Sequence, residues 1–260
     1  MVDVCVVMDI KDGQLTKQEV DSIDACGCSI EGVNVVSDTK IFRVKTEHKI
    51  KFKSGQFFLL SDKDFLIDEK IVQRAYSICS SEDEDRHLEF AITMLSNGTF
   101  SRHVSNFKDG HKLCIKGPYG KFFLDKTKNS TFIAGGSGVT PFISMLRTIR
   151  DQKLNDKMKA TLIYSLKTLS DVLFIDELKE INKLPNVDII LCITRETGVV
   201  SNDFTVYGKR IDDEIIKKHL LTDSQVYTCG PKEMIIALHE TLSKFIPVES
   251  VHNERWMANK

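Results

Sequence analysis

The sequence contains no C-x2-C pair. Its seven cysteines stand at 5, 26, 28, 79, 114, 192 and 229 and form no C-x4-C-x2-C run either, so neither a structural zinc nor a plant-type iron-sulfur cluster has its usual ligands. No metal is expected. The closest pair, Cys26-Gly27-Cys28, fits no defined metal or redox spacing. An odd cysteine count, with no basic segment leading into an apolar one at the N-terminus, reads as free thiols in a reducing, cytoplasmic compartment. No apolar run approaches the ~18 residues that a membrane helix needs. Charge of one sign is also missing: 36 Lys and Arg balance 37 Asp and Glu for a formal net charge of -1, which carries no whole-chain signature of a nucleic-acid or membrane-surface binder. At 260 residues, the chain has room for one large domain or two ordinary ones.

What is present divides into two grammars. Up to about residue 124, short apolar runs at 41–44, 57–60, 88–94 and 113–115 are separated by turn formers such as Gly55, Asn97-Gly98, Asp109-Gly110 and Gly117-Pro118. This spacing predicts an antiparallel β-barrel. From residue 131, apolar runs at 131–134, 161–166, 188–194 and 225–229 alternate with amphipathic stretches, which predicts an open parallel α/β sheet with right-handed crossovers. The expected organisation is an extension over 1–28, a barrel over 29–125 and an α/β domain over 126–260. The extension fits neither half, although 2–10 has the look of an added strand.

Four segments carry the chemistry. Gly135, Gly136 and Gly138 follow an apolar run and precede Thr140-Pro141, a good N-cap and first helical residue. Glycines there admit a ligand close to the backbone, and a helix N-terminus attracts phosphate; a tight turn packed on the sheet would use the same residues. The spacing is not G-x-G-x-x-G, which disfavours an ordinary Rossmann dehydrogenase. The last parallel run ends in Cys229-Gly230-Pro231 with Met234 beyond, where open α/β sheets bind ligands, although a cysteine at a strand end is often simply buried. In the barrel half, Arg74, Tyr76 and Ser77 offer a cation, a ring and a hydroxyl suited to a flavin, or an ordinary strand before a serine-rich turn. Gly98, Thr99 and Ser101 form a turn with hydroxyls that can meet a diphosphate.

Together these motifs resemble the ferredoxin-NADP reductase-like flavoproteins. Arg74-x-Tyr76-Ser77 is similar to the family's flavin motif, Gly98-x-x-Ser101 to its diphosphate motif, and Gly117-Pro118-Tyr119-Gly120 to the turn that closes the barrel. Gly135-Gly136-x-Gly138-x-Thr140-Pro141 and Cys229-Gly230-Pro231-x-x-Met234 are similar to its pyridine-nucleotide motifs, all in family order. The resemblance implies an FAD barrel followed by an NAD(P) domain, with hydride passing between nicotinamide and flavin and single electrons passing onward. It implies that Tyr76 stacks on the isoalloxazine, Ser77 donates to it, Arg74 and Ser101 hold the diphosphate, and Cys229 sits beside the nicotinamide. No Ser-His-Asp or paired-carboxylate constellation competes with this reading.

Glu254-Arg255-x-Met257 resembles the segment that leads into a cysteine-rich cluster motif in reductase subunits of hydrogenases and sulfite reductases. No cysteine follows here, so direct transfer from flavin to a partner is expected. Trp256, the single tryptophan, is a candidate cover for the cofactor pocket or a packed terminal residue. Thr194-Arg195 resembles the family's 2'-phosphate pair, and with Lys209-Arg210 downstream and Lys167 after the second expected parallel strand it favours NADPH over NADH. The expected function is an FAD-dependent NAD(P)H reductase serving a ferredoxin or flavodoxin-like protein. The alternatives are the reductase subunit of a hydrogenase, sulfite reductase or oxygenase, and a non-catalytic flavin or nucleotide sensor.

Overall fold

Alternating apolar residues between turns make the first half a sheet. In β2 (Thr39–Lys45) the side chains of Ile41, Phe42 and Val44 are buried while Arg43 and Lys45 face solvent, the pattern of a strand with one face on a core. The computed structural model describes residues 23–256; the strand expected at 2–10 lies outside them. Around β2 stand β1 (Ile23–Val36), β3 (Phe57–Ile67), β4 (Lys70–Ser77), β5 (His87–Thr93) and β6 (Lys112–Tyr119), in the order β4-β3-β6-β1-β2-β5. Every pairing is antiparallel. Register irregularities in β1 and β3 bend the sheet. The Cys79 N–H donates to the Glu89 carbonyl at 2.8 Å, which joins the two edges and closes a barrel. Its core holds Phe58 edge-on to Phe90 at 6.3 Å with Ile78, Ile115 and Leu88, each contributing roughly 1.5–3 kcal/mol by burial.

Three readings of this half change. β1 begins at Ile23, so residues 23–28 continue the barrel rather than extend from it. Residues 117–119, expected as a closing turn, are the end of β6. Cys114 is disulfide-bonded, against the expectation of thiols throughout; spacing along the chain does not encode which cysteines folding brings together. Cys28, Cys79, Cys192 and Cys229 are not disulfide-bonded.

The second half is built on near-continuous apolar strands, as a sheet covered on both faces requires. β7 (Asn129–Gly135), β8 (Ala160–Leu166), β9 (Val187–Ile193), β10 (Thr205–Tyr207), β11 (Ser224–Pro231) and β12 (Val251–Trp256) are all parallel in the order β10-β9-β8-β7-β11-β12. The helices α2 (Thr140–Asp151), α3 (Ile175–Asn182), α4 (Asp213–His219) and α5 (Lys232–Leu242) lie between strands in the chain, and α1 (Thr99–Val104) belongs to the barrel half. The expected fold class therefore stands: an antiparallel barrel followed by an open parallel α/β sheet. Four parallel strands were expected and six are present, because β10 is only three residues long and β12 lies in a mixed polar segment. The order reverses between β7 and β11, which makes their carboxyl ends a topological switch point. No helix among the described residues is long and apolar enough to cross a membrane.

Candidate active site

β7 ends at Gly135, and a single 3-10 turn, residues Gly136–Val139, leads into α2. A Cβ on Gly138 would lie 2.5 Å from the Cys229 carbonyl oxygen, and one on Gly135 would lie 2.5 Å from Met234 Sδ. Glycine is what lets the ends of β7 and β11 close into one cradle. Thr140 does not cap the helix: the 3-10 turn already brings it to helical φ and ψ, so Val139 takes the cap position with no side-chain bond. Pro141 sits in the first turn, where a missing N–H costs nothing.

From the barrel side, β4 delivers Arg74, Tyr76 and Ser77. Arg74 is only 7% exposed and Ser77 only 1%. Nη1 of Arg74 donates to the Gln73 carbonyl at 2.7 Å, but its Nε and the Ser77 Oγ are buried with no hydrogen-bond partner. Leaving a buried donor unmet costs about 1–3 kcal/mol. Tyr76 stacks on Phe100 of α1 with centroids 6.1 Å apart, and Gly98 caps that helix. Ser101 Oγ accepts from the Leu95 N–H at 3.3 Å. A flavin dinucleotide supplies what is missing: diphosphate oxygens for a guanidinium and ring heteroatoms for a hydroxyl. The residues fit that group.

Both halves open onto one cavity of about 770 Å³, lined by Arg74, Tyr76, Gly98, Ser101, Gly135, Gly136, Thr194, Arg210, Pro231 and Met234 among the residues singled out by sequence. Ser77, Gly138, Thr140, Pro141, Cys229 and Gly230 are buried and do not line it. Thr99 and the exposed Arg195 also stay off the wall, and the side chain of Trp256 lies outside what the structure describes. Sequence reading missed the barrel wall at Val36, Ser37, Asp38 and Thr39, together with Thr93 and Leu95. Ser37-Asp38 between two strand-like runs was the signal of a hairpin, though not of a site. It also missed Ser137, Ser165, Asp171 and Glu233 in the α/β half.

Charge is distributed unevenly over this wall. Lys167 and Arg210 are its cations in the α/β half. Asp171 is held below the usual carboxylate range: burial pushes it up, but bonds from Ser37 and Thr168 outweigh that. The Thr168 N–H and hydroxyl reach it at 3.0 and 2.8 Å. The contact from Ser37 ties the barrel hairpin to the α/β half at the cavity wall. Lys209 is instead committed to Asp212 and Glu214 at 2.8 and 2.6 Å.

A barrel strand that leaves a guanidinium N–H and a hydroxyl unmet, beside a cavity that a glycine cradle at a switch point also lines, defines a flavin and pyridine-nucleotide oxidoreductase. Residues 29–124 match the family model "Oxidoreductase FAD-binding domain" and residues 132–240 match "Oxidoreductase NAD-binding domain". The chain belongs to the ferredoxin-NADP reductase-like family of flavoprotein oxidoreductases. It is 31% identical over 176 residues to NADH-cytochrome b5 reductase 2 of Mycosarcoma maydis, covering 65% of this chain and 49% of that protein. It is 31% identical over 153 residues to methane monooxygenase component C of Methylosinus trichosporium, covering 57% and 43%. Its fold superposes on a ferredoxin NADP+ reductase from Neisseria gonorrhoeae with a TM-score of 0.72 at 22% identity, covering 91% of this chain and 99% of that one. The match spans about half the length of these two curated relatives.

Proposed function

We propose that this chain is an FAD-dependent NAD(P)H reductase that passes electrons to a small redox protein of the ferredoxin or flavodoxin kind. The observation that carries the reading is the pair of buried, unmet polar atoms, Arg74 Nε and Ser77 Oγ, on one strand beside a cavity that the glycine cradle also lines. Bound FAD supplies the ring that accepts a hydride from a nicotinamide and releases electrons one at a time. The chain supplies position. Arg74 and Ser101 hold the diphosphate, Tyr76 offers a ring face, Ser77 donates to the flavin ring, and the backbone at Gly135 to Gly138 receives the second nucleotide's pyrophosphate. Cys229 fixes the floor of the cradle through its carbonyl, with its thiol next to the nicotinamide end. Lys167 and Arg210 favour NADPH, because cations on the wall suit a 2'-phosphate.

The likeness to methane monooxygenase component C favours one further reading, the electron-supplying part of a multicomponent oxygenase. Purification from the native source separates the two: a small soluble redox protein that is reduced in turnover supports the first, and a stoichiometric large oxygenase supports the second. Titration of the flavin-loaded protein with NADPH tests the reading common to both.

A further inference from the structure

Helix α2 starts at the nucleotide cradle and runs against the segment that follows Ser77. Three of its residues, at i, i+3 and i+4, lie on one face and grip the backbone of residues 79–82. Ser144 Oγ donates to the Ser80 carbonyl at 2.6 Å, Arg147 Nη1 donates to the Cys79 carbonyl at 2.9 Å, and the Glu82 N–H donates to Thr148 Oγ1 at 3.2 Å. Arg147 does more. Nη1 also reaches Glu89 of β5 at 2.6 Å, while Nε and Nη2 form a two-point pair with Glu177 of α3 at 2.9 and 2.6 Å. Its guanidinium lies 4.9 Å over the Phe174 ring, and its side chain is 14% exposed. One planar cation thus bonds to the barrel and to the α/β half at once, a geometry that lysine, a single point charge, cannot reproduce.

From these contacts we infer that Arg147 is the positioning residue that sets the flavin-facing strand against the nucleotide cradle. It acts through the Cys79 carbonyl, two residues beyond Ser77, and through Glu89. The inference rests on the proposed reductase reading for its kinetic consequence only. Arg147 does not line the cavity, so its loss leaves both binding sites built and spoils their mutual placement. A shift of about 1 Å between reacting groups costs up to ~100-fold in rate.

The test uses the full chain loaded with FAD and three variants: Arg147→Lys, Arg147→Met and Glu89→Gln. Glu89→Gln keeps the guanidinium and its Glu177 pair, and so guards against simple misfolding. The expected result is flavin content and KM for NADPH within threefold of wild type, with the rate of flavin reduction at saturating NADPH lowered at least tenfold in both Arg147 variants and less in Glu89→Gln. Hydrogen exchange on the flavin-free protein gives a second readout that needs no activity. Amides of residues 78–82 should exchange faster in every variant, while the barrel core around Phe58 and Phe90 is unchanged. Reduction within twofold of wild type in a flavin-loaded Arg147 variant overturns the inference, as does unaltered exchange at 78–82. A wild-type protein that NADPH and NADH both fail to reduce sinks the reductase reading instead, and the exchange result then decides the coupling alone.

Discussion

Gly138 and Cys229 meet where β7 and β11 end, with so little space that a Cβ on the glycine would lie 2.5 Å from the Cys229 carbonyl oxygen and 2.7 Å from its carbon. The obstacle is backbone on a strand buried on both faces, so it cannot swing aside. Gly138→Ala should therefore destabilise the α/β half by the usual cost of overpacking, about 1–3 kcal/mol. It should also raise KM for the nucleotide while flavin content is retained. Thermal unfolding and steady-state kinetics on one preparation check both.

Tyr76 and Arg74 meet the same cavity from the barrel side. Tyr76→Ala removes the ring that stacks on Phe100, and Arg74→Ala removes the buried cation. Each should raise the dissociation constant for FAD roughly tenfold, equivalent to about 1.4 kcal/mol. Only Arg74→Ala should flatten the salt dependence of binding, because only it removes a charge. Fluorescence titration of flavin-free protein at two salt concentrations separates the two effects.

The motifs were legible in sequence because each glycine, proline or hydroxyl has a local backbone or ligand reason. Gly135, Gly136, Pro231 and Met234 could be read that way, and so could Arg74 and Tyr76. The Ser37-Asp38 wall and the Ser37 contact to Asp171 could not: they depend on how one half packs on the other, and no periodicity along the chain encodes that. Arg147 shows the same limit. Its position on an amphipathic helix reads as a surface cation until the barrel is placed against it, and Glu89 and Glu177 are distant in sequence. β10 was missed because three residues cannot establish an alternation.

Arg210 lines the cavity and Arg195 does not, although the sequence motif pointed to Arg195. Arg210→Ala should raise KM for NADPH at least fivefold and KM for NADH less than twofold. Arg195→Ala should change both little. A larger NADPH effect from Arg195→Ala would return the 2'-phosphate to the Thr194-Arg195 motif.

Asp62 is nearly buried, with one oxygen accepting from His103 Nε2 at 2.8 Å and His111 Nε2 at 3.0 Å. Phe65 stacks on His103 at 4.1 Å and Phe107 on His111 at 3.8 Å, so the cluster anchors α1 to the barrel. Burial pushes the Asp62 carboxyl up, but the Asp64 N–H and the two imidazoles more than offset this and hold it below its ordinary value. A carboxyl whose folded pKa is depressed contributes stability that is complete above its unfolded pKa, about 3.9, and is lost as pH falls below that toward the folded value. The urea midpoint should therefore fall as pH drops from 5 to 3. Asp62→Asn should lower the midpoint at pH 7 and make this acid decline shallower.

The proposed reductase role requires this chain to move hydride between a pyridine nucleotide and a bound flavin. Anaerobic mixing of the flavin-loaded protein with NADPH or NADH in turn, followed through the flavin absorbance, tests it directly. Rapid bleaching of the bound flavin is expected, faster with NADPH than with NADH. Full flavin occupancy with no bleaching by either nucleotide would contradict it.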